Sequence, residues 1–200
     1  AFTPDDEQLF SGSDDTSILS WSVETGDLIR SYQGHQDSVW SISLNASGSQ
    51  LLSGSLDNTI IHWDIATGNI LGQLEEHTSG VRAVAFHPDG IHAVSGAGSI
   101  DESGSSSDYD LLYWDINQQV VLREIPGHTQ TIRSLTFNTD GTQILSASDD
   151  GLVILWHADT LDSLLARIST DYEVVCVEDH INDYCENVIA VASDETNETV

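Results

Sequence analysis

Serine, histidine and aspartate recur together at fixed spacing: His35, Ser53 and Asp57; His77, Ser95 and Asp108; His128, Ser146 and Asp150. A hydroxyl, an imidazole to take its proton and a carboxylate to orient that imidazole are the parts of an acyl-transfer triad. Hydrolysis, however, needs one nucleophile in one cleft. Here the set repeats in register, each aspartate six residues ahead of a tryptophan, Trp63, Trp114 or Trp156. Such repetition is what buried polar groups need to be satisfied in every copy of a repeating unit. No catalytic residue is therefore assigned. A first, incomplete set (Ser11, Asp15 and Trp21) keeps the same offsets, with its histidine falling upstream of Ala1.

Other constellations carry less. His62, His87, His92, His157 and His180 show no pair at metal-ligand spacing with a supporting cysteine or carboxylate in a common turn, so they read as surface or strand positions and no metal is expected. Asp101, Glu102, Asp108 and Asp110 cluster in a Gly/Ser-rich stretch, but their spacing matches neither an EF-hand nor a nonapeptide calcium repeat; a solvated loop is expected. No phosphate-cradling glycine pattern follows a strand and opens a helix, so no nucleotide cofactor is expected. The two cysteines, Cys176 and Cys185, would face each other across a hairpin centred near His180 and Ile181, an arrangement that fits a disulfide or two reduced thiols. The reduced pair agrees with a cytoplasmic setting, which is slightly favoured, and the disulfide with secretion. The glycosylation sequons at Asn45 and Asn197 are too common by chance to decide between them.

The elements that must hold these residues show in their periodicity. Trp21, Trp63, Trp114 and Trp156 are separated by 42, 51 and 42 residues, and His35, His77 and His128 by 42 and 51. One nine-residue insertion between His77 and Trp114, within Ala97 to Asp108, accounts for every offset. Within each unit, short β-branched or alternating segments such as SVWSISL, QLLSGS and NILGQL are cut by Gly, Asn, Asp and Ser. Each unit therefore reads as four antiparallel strands, and four short strands in about 42 residues match the blade of a β-propeller. The expected fold is all-β, with a partial blade at 1–33, blades at 34–75, 76–126 and 127–168, and a degenerate partial blade at 169–200.

At Gly34-His35, Gly127-His128 and Glu76-His77, and at Trp63-Asp64 and Trp114-Asp115, the chain resembles the WD-repeat propeller family over residues 1 to about 168. The aspartate after the tryptophan is replaced by Ser22 and His157 in two units, with little consequence expected. In the last unit Val174 aligns with Val39, but Thr170 stands where histidine is expected. The resemblance implies a closed propeller of about seven or eight blades, of which about 4.5 are present, so this sequence is expected to be a fragment with exposed sheet edges. It also implies that the repeated sets form a structural hydrogen-bonded network, with Trp on the third strand, Ser on the second, His before the first and Asp in the turn between second and third.

The same resemblance implies binding at the channel mouth and on the face that feeds the innermost strands. The residue after the first β-branched position of each such strand points there: Trp40, Arg82, Arg133 and Val175. A second ring precedes the turn aspartate, at Asp14, Leu56, Ser107 and Asp149. Trp and Arg are enriched among binding hot spots. The competing reading has Arg82 and Arg133 merely neutralising acids on the same rim.

Five basic against 33 acidic residues give a net charge of −28, which argues against nucleic acid as a partner. Without a polybasic cluster or an apolar run near the roughly 18 residues a spanning helix needs, no membrane partner is expected either. The acidity fits secretion, a high-salt habitat or lineage bias. The expected function is a non-catalytic scaffold for a protein or peptide partner; the alternative is a regulatory or substrate-docking propeller of a larger enzyme whose catalytic domain lies outside this segment.

Overall fold

Alternating apolar and polar residues, interrupted by turn formers, fold the chain into short antiparallel strands. The computed structural model describes residues 1–98 and 108–158, together with the backbone of two strands at 163–169 and 174–176. Asp101, Glu102, Ser107, Thr170, His180, Cys185, Asn197 and the side chains of Val174, Val175 and Cys176 lie outside the described residues. The protein is all-β. Strands β1 (Gln8–Gly12), β2 (Ile18–Ser22) and β3 (Leu28–Tyr32) form a three-stranded sheet. Two four-stranded sheets follow. The first comprises β4 (Val39–Leu44), β5 (Gln50–Ser55), β6 (Ile60–Asp64) and β7 (Ile70–Leu74); the second, β8 (Val81–Phe86), β9 (His92–Ala97), β10 (Leu111–Asp115) and β11 (Val120–Ile125). The last sheet orders β12 (Ile132–Phe137), β13 (Gln143–Ser148), β14 (Leu152–His157), β15 (Ser163–Ser169) and β16 (Val174–Cys176). Each sheet is a simple meander, as a propeller blade requires. Val174, the expected start of a further unit, belongs to β16, which pairs antiparallel with β15 as a fifth strand.

Turn chemistry is repeated with the strands. The turn into the outermost strand needs a left-handed residue, supplied by Gly26 (φ 73°), Gly68 (φ 77°) and, in the third sheet, Gln119 (φ 57°). The aspartate after the tryptophan closes this turn: Asp64 Oδ1 accepts from the Thr67 amide at 2.7 Å and Asp115 Oδ1 from the Gln118 amide at 2.8 Å. Where that aspartate is missing, Ser22 Oγ takes the Thr25 amide at 3.2 Å.

The apolar core lies between sheets. Phe10, Ile18 and Tyr32 pack on Val39, Leu51, Ile61 and Trp63; Leu52, Ile60 and Leu74 pack on Val81, Val84, Phe86 and Trp114; the third and fourth sheets pair in the same way. Close approach at each seam depends on a glycine, in β1, β5 or β9. A methyl group at Gly12, Gly54 or Gly96 would sit 2.8, 2.7 or 2.6 Å from a γ-carbon of Val39, Val81 or Ile132 in the next sheet. The innermost strands are also stitched directly, the amides of Val84 and Phe86 donating to Ser41 Oγ and Ser43 Oγ, each at 3.0 Å.

His62 is a strand residue, as expected, but a buried one. Its ring meets Phe86 of the next sheet edge-on, and its Nε2 has no hydrogen-bond partner among the described residues. Burial lowers its pKa. A histidine that is harder to protonate folded than unfolded contributes stability that is present above about pH 6.5 and lost as pH falls toward the folded pKa. The His62→Leu variant should therefore lose less stability than the parent between pH 7.5 and 5.5 in paired thermal melts; parallel pH profiles would contradict this.

Candidate functional site

The repeated Trp, Ser, His and Asp side chains come together in each of the second, third and fourth sheets. Trp63 Nε1 donates to Ser53 Oγ at 2.8 Å; Ser53 Oγ lies 2.7 Å from His35 Nε2; His35 Nδ1 lies 2.9 Å from Asp57 Oδ2. In the third sheet the distances are 2.7 Å (Trp114 to Ser95), 2.7 Å (Ser95 to His77) and 3.1 Å (His77 to Asp108). In the fourth they are 2.9 Å (Trp156 to Ser146), 2.7 Å (Ser146 to His128) and 2.9 Å (His128 to Asp150). With the ring proton on Nδ1, every proton finds an acceptor: indole N–H to serine, hydroxyl to imidazole, imidazole N–H to carboxylate. The three serines are 0% exposed, so no substrate carbonyl reaches Oγ without unpacking the indole.

Each aspartate also anchors the chain entering the innermost strand, Asp57 accepting from the Gln36 amide at 2.8 Å and Asp150 from the Thr129 amide at 2.9 Å. Burial opposes the charged form of Asp57, but the Gln36 amide, the Thr59 hydroxyl and the His35 ring outweigh it and hold the carboxyl below its ordinary pKa. In the first sheet, Trp21 Nε1 still donates to Ser11 Oγ at 3.1 Å, and Asp15 instead accepts from the Ser17 hydroxyl at 2.6 Å.

At the start of each innermost strand the pairing slips by one residue: between Val39 and Ser41, between Val81 and Ala83, and between Ile132 and Ser134. The unpaired residues of these bulges are Trp40, Arg82 and Arg133. A bulge re-aims a side chain away from the pleat, and these three form a row across three sheets. The Arg82 guanidinium carbon stands 3.1 Å over the centre of the Trp40 ring, and Arg82 Nε donates to Gly98 O at 3.3 Å. Burial, then repulsion from Arg133, lowers the Arg82 pKa to about 10 against the attraction of Asp149. Arg133 makes a forked pair with Asp149, Nε at 2.8 Å and Nη2 at 2.6 Å, which raises the pKa of the guanidinium and lowers that of the carboxyl.

Of the second ring, Asp149 thus joins the row directly. Leu56 joins it through Gly80, where a methyl group would lie 2.8 Å from Leu56 Cδ1 and 3.3 Å from Trp40 Cζ3. Asp14 sits in the exposed turn between β1 and β2, and Ser107 and the side chain of Val175 lie outside the described residues. Gly80 and Gly98 escaped the sequence reading; the one signal for Gly80 is that it stands where the other units carry Ser38 and Thr131.

His87 and His92, read from the sequence as surface or strand positions without a supporting carboxylate in a common turn, are brought together with Asp89 in the turn between β8 and β9. Burial raises the Asp89 pKa, but the His92 amide and ring and the Ile91 amide more than compensate, leaving the carboxyl well below the usual range.

With this geometry established, similarity to known proteins is informative. The family model described as WD domain, G-beta repeat matches residues 1–22, 26–64, 68–115 and 119–157. The chain is 32% identical over 158 residues to the nuclear distribution protein PAC1 of Arthroderma otae, covering 78% of this chain and 34% of that relative. It is 32% identical over 74 residues to human pre-mRNA-processing factor 17, covering 36% of this chain and 13% of the relative. The solved structure of U3-55K superposes with a TM-score of 0.71 at 24% identity, over 82% of this chain and 49% of the other, which supports the fold alone.

If the Trp–Ser–His–Asp sets hold the sheets, Trp63→Ala should cost about 3–5 kcal/mol through the cavity it leaves. Ser53→Ala, which orphans the Trp63 and His35 nitrogens, should cost about 1–3 kcal/mol. Denaturant unfolding of both variants measures this, and unchanged midpoints would refute it.

Proposed function

Because the chain belongs to the WD-repeat family, we propose that it acts as a non-catalytic scaffold that binds a protein or peptide across the face carrying Trp40, Leu56, Arg82, Arg133 and Asp149. The observation that carries this reading is the row of bulges, which places an aromatic face, a stacked guanidinium and an ion pair side by side on three successive sheets. Flat aromatic surface and guanidinium groups gain most from desolvation at an interface. The pairing of Arg133 with Asp149 is what rim neutralisation demands, whereas Arg82 stacks on an indole and bonds a carbonyl. Offering both charges around an apolar centre, the patch suits a segment with basic and acidic groups flanking a hydrophobic side chain. The buried Trp, Ser, His and Asp sets serve as structure, and no residue of the chain is given a catalytic role. The chain spans 34% of the length of the Arthroderma relative, so further parts of the whole protein add to this surface in the proposal.

The full-length protein provides the test. With a partner recovered by pull-down, Trp40→Ala and Arg82→Ala should each weaken binding by about 1–2 kcal/mol or more while leaving stability nearly unchanged. Since the charge of −28 steers encounter, association with a basic partner should slow as salt rises, and the dissociation set by Trp40 should respond little. Stability losses on removing the arginines with intact binding would leave only rim neutralisation.

A further inference from the structure

The turn His87-Pro88-Asp89-Gly90-Ile91-His92 closes the hairpin between β8 and β9 at the end of β8 opposite the bulge that carries Arg82. Its two histidines face each other because they are the closing pair, the His87 amide donating to His92 O at 2.9 Å. Asp89 folds back between them. Its Oδ1 is fixed by the Ile91 amide at 2.7 Å and the His92 amide at 3.0 Å, leaving Oδ2 turned to the imidazoles. His92 Nδ1 stands 2.6 Å and His87 Nδ1 3.0 Å from that oxygen. The three atoms lie within 4.8 Å of one another, on side chains 30%, 17% and 33% exposed for His92, His87 and Asp89.

Proton positions set this turn apart from an ordinary ion pair. His87 Nε2 lies 3.1 Å from the carbonyl of Gly141 in the next sheet, a pure acceptor, so Nε2 carries the proton of the neutral ring. Nδ1 is then a lone pair, and it accepts the Asp89 amide at 3.1 Å. The amide takes that lone pair, while Asp89 Oδ2, itself an acceptor, stands 3.0 Å from the same nitrogen with no proton between the two. A cation that displaces the Asp89 amide from Nδ1 turns that repulsion into coordination. Both rings are already held from behind: His87 by Gly141 O and by Phe137, edge-on at 5.0 Å, and His92 by stacking on Tyr113 at 5.5 Å and 14°. A backbone carbonyl that fixes the far nitrogen of a histidine is the usual outer support of a metal ligand.

We propose that His87 Nδ1, His92 Nδ1 and Asp89 Oδ2 form a divalent metal site of the zinc class. Two imidazoles and a carboxylate suit Zn²⁺ rather than Ca²⁺ or Mg²⁺, which prefer all-oxygen sets. Tetrahedral ligands about 2.1 Å from zinc stand roughly 3.4 Å apart, so the His92 to Asp89 contact opens by less than an ångström on loading. The metal replaces the proton between His92 and Asp89 and leaves one position open to solvent. Binding therefore releases a proton to the buffer and weakens as pH falls. Because His87 also bonds the fourth sheet, loading stiffens the seam between the third and fourth sheets.

The test is calorimetric titration of the full-length protein with Zn²⁺ in excess Mg²⁺, which occupies the many carboxylates and spares imidazoles, repeated in two buffers of different protonation enthalpy. One Zn²⁺ with proton release should be lost, with Kd rising at least tenfold, in His92→Gln and in Asp89→Asn. The second variant keeps Oδ1 for the two turn amides and so preserves the hairpin. Melting temperature should rise with Zn²⁺ in the parent and not in the variants. No saturable Zn²⁺ binding under Mg²⁺, or equal binding by parent and both variants, would overturn the proposal.

Discussion

The indole N–H of Trp63, buried where water cannot reach it, sets a demand from which much of the architecture follows. It must be met, and Ser53 meets it; Ser53 in turn needs His35, and His35 needs Asp57. Four segments distant in sequence are thereby tied: the third strand, the second strand, the chain before the first strand and the turn between second and third. In a low-dielectric seam a satisfied chain of this kind stiffens its surroundings, and a broken one is costly. Because the aspartate also takes the amide after the histidine, the relay fixes where the chain enters the innermost strand. Four residues past each histidine that strand begins with Val39, Val81 or Ile132, and one residue further comes the bulge. The buried relay thus determines which side chain stands on the rim.

This coupling explains why so much was legible in the sequence. The repeat length, the strand count and the relay are all consequences of one period, and a period survives without knowledge of the fold. The equivalence of Trp40, Arg82 and Arg133 followed from the same register, and their direction from the family resemblance. What each arginine would touch followed from neither, because an equivalent position names no neighbour. Arg82 and Arg133 occupy equivalent positions, yet the acid of the second ring beside Arg133, Asp149, has Leu56 as its equivalent beside Trp40. The step between sheets, set at Gly54 and Gly96 by contact with Val81 and Ile132, then decides which of these faces which.

The misses have a different physical origin. Strand alternation predicts one exposed face, but a blade inside a stack has both faces covered. Ile60, Ile61, His62 and Trp63 are therefore all buried, and a polar residue that alternation would put in water is sealed against Phe86. His87, Asp89 and His92 were missed for the opposite reason. Their separations of two and three residues mean little along an extended strand, and only the closure of a tight hairpin makes the first and last of them partners across the ladder.

The placement of cations in so acidic a chain makes the final distinction. With 33 carboxylates and five arginines, nearly any site offers a guanidinium an attractive field, so neutralisation alone does not specify where one goes. Arg30 reaches across a seam to the carbonyls of Ala66 and Thr67 at 3.0 and 2.9 Å, which is structural work, and Arg133 takes the acid beside it. Arg82 does neither. It surrenders part of its hydration, which pulls its pKa down to about 10, and receives an indole face and one carbonyl in place of a carboxylate hydrogen bond. Desolvating a cation in a field that would reward its exposure is unfavourable, and stacking on the Trp40 ring offsets part of that cost. The stacked pair lies at the end of β8 away from His87, so the row of bulges and the histidine turn occupy opposite ends of one strand and can be altered independently.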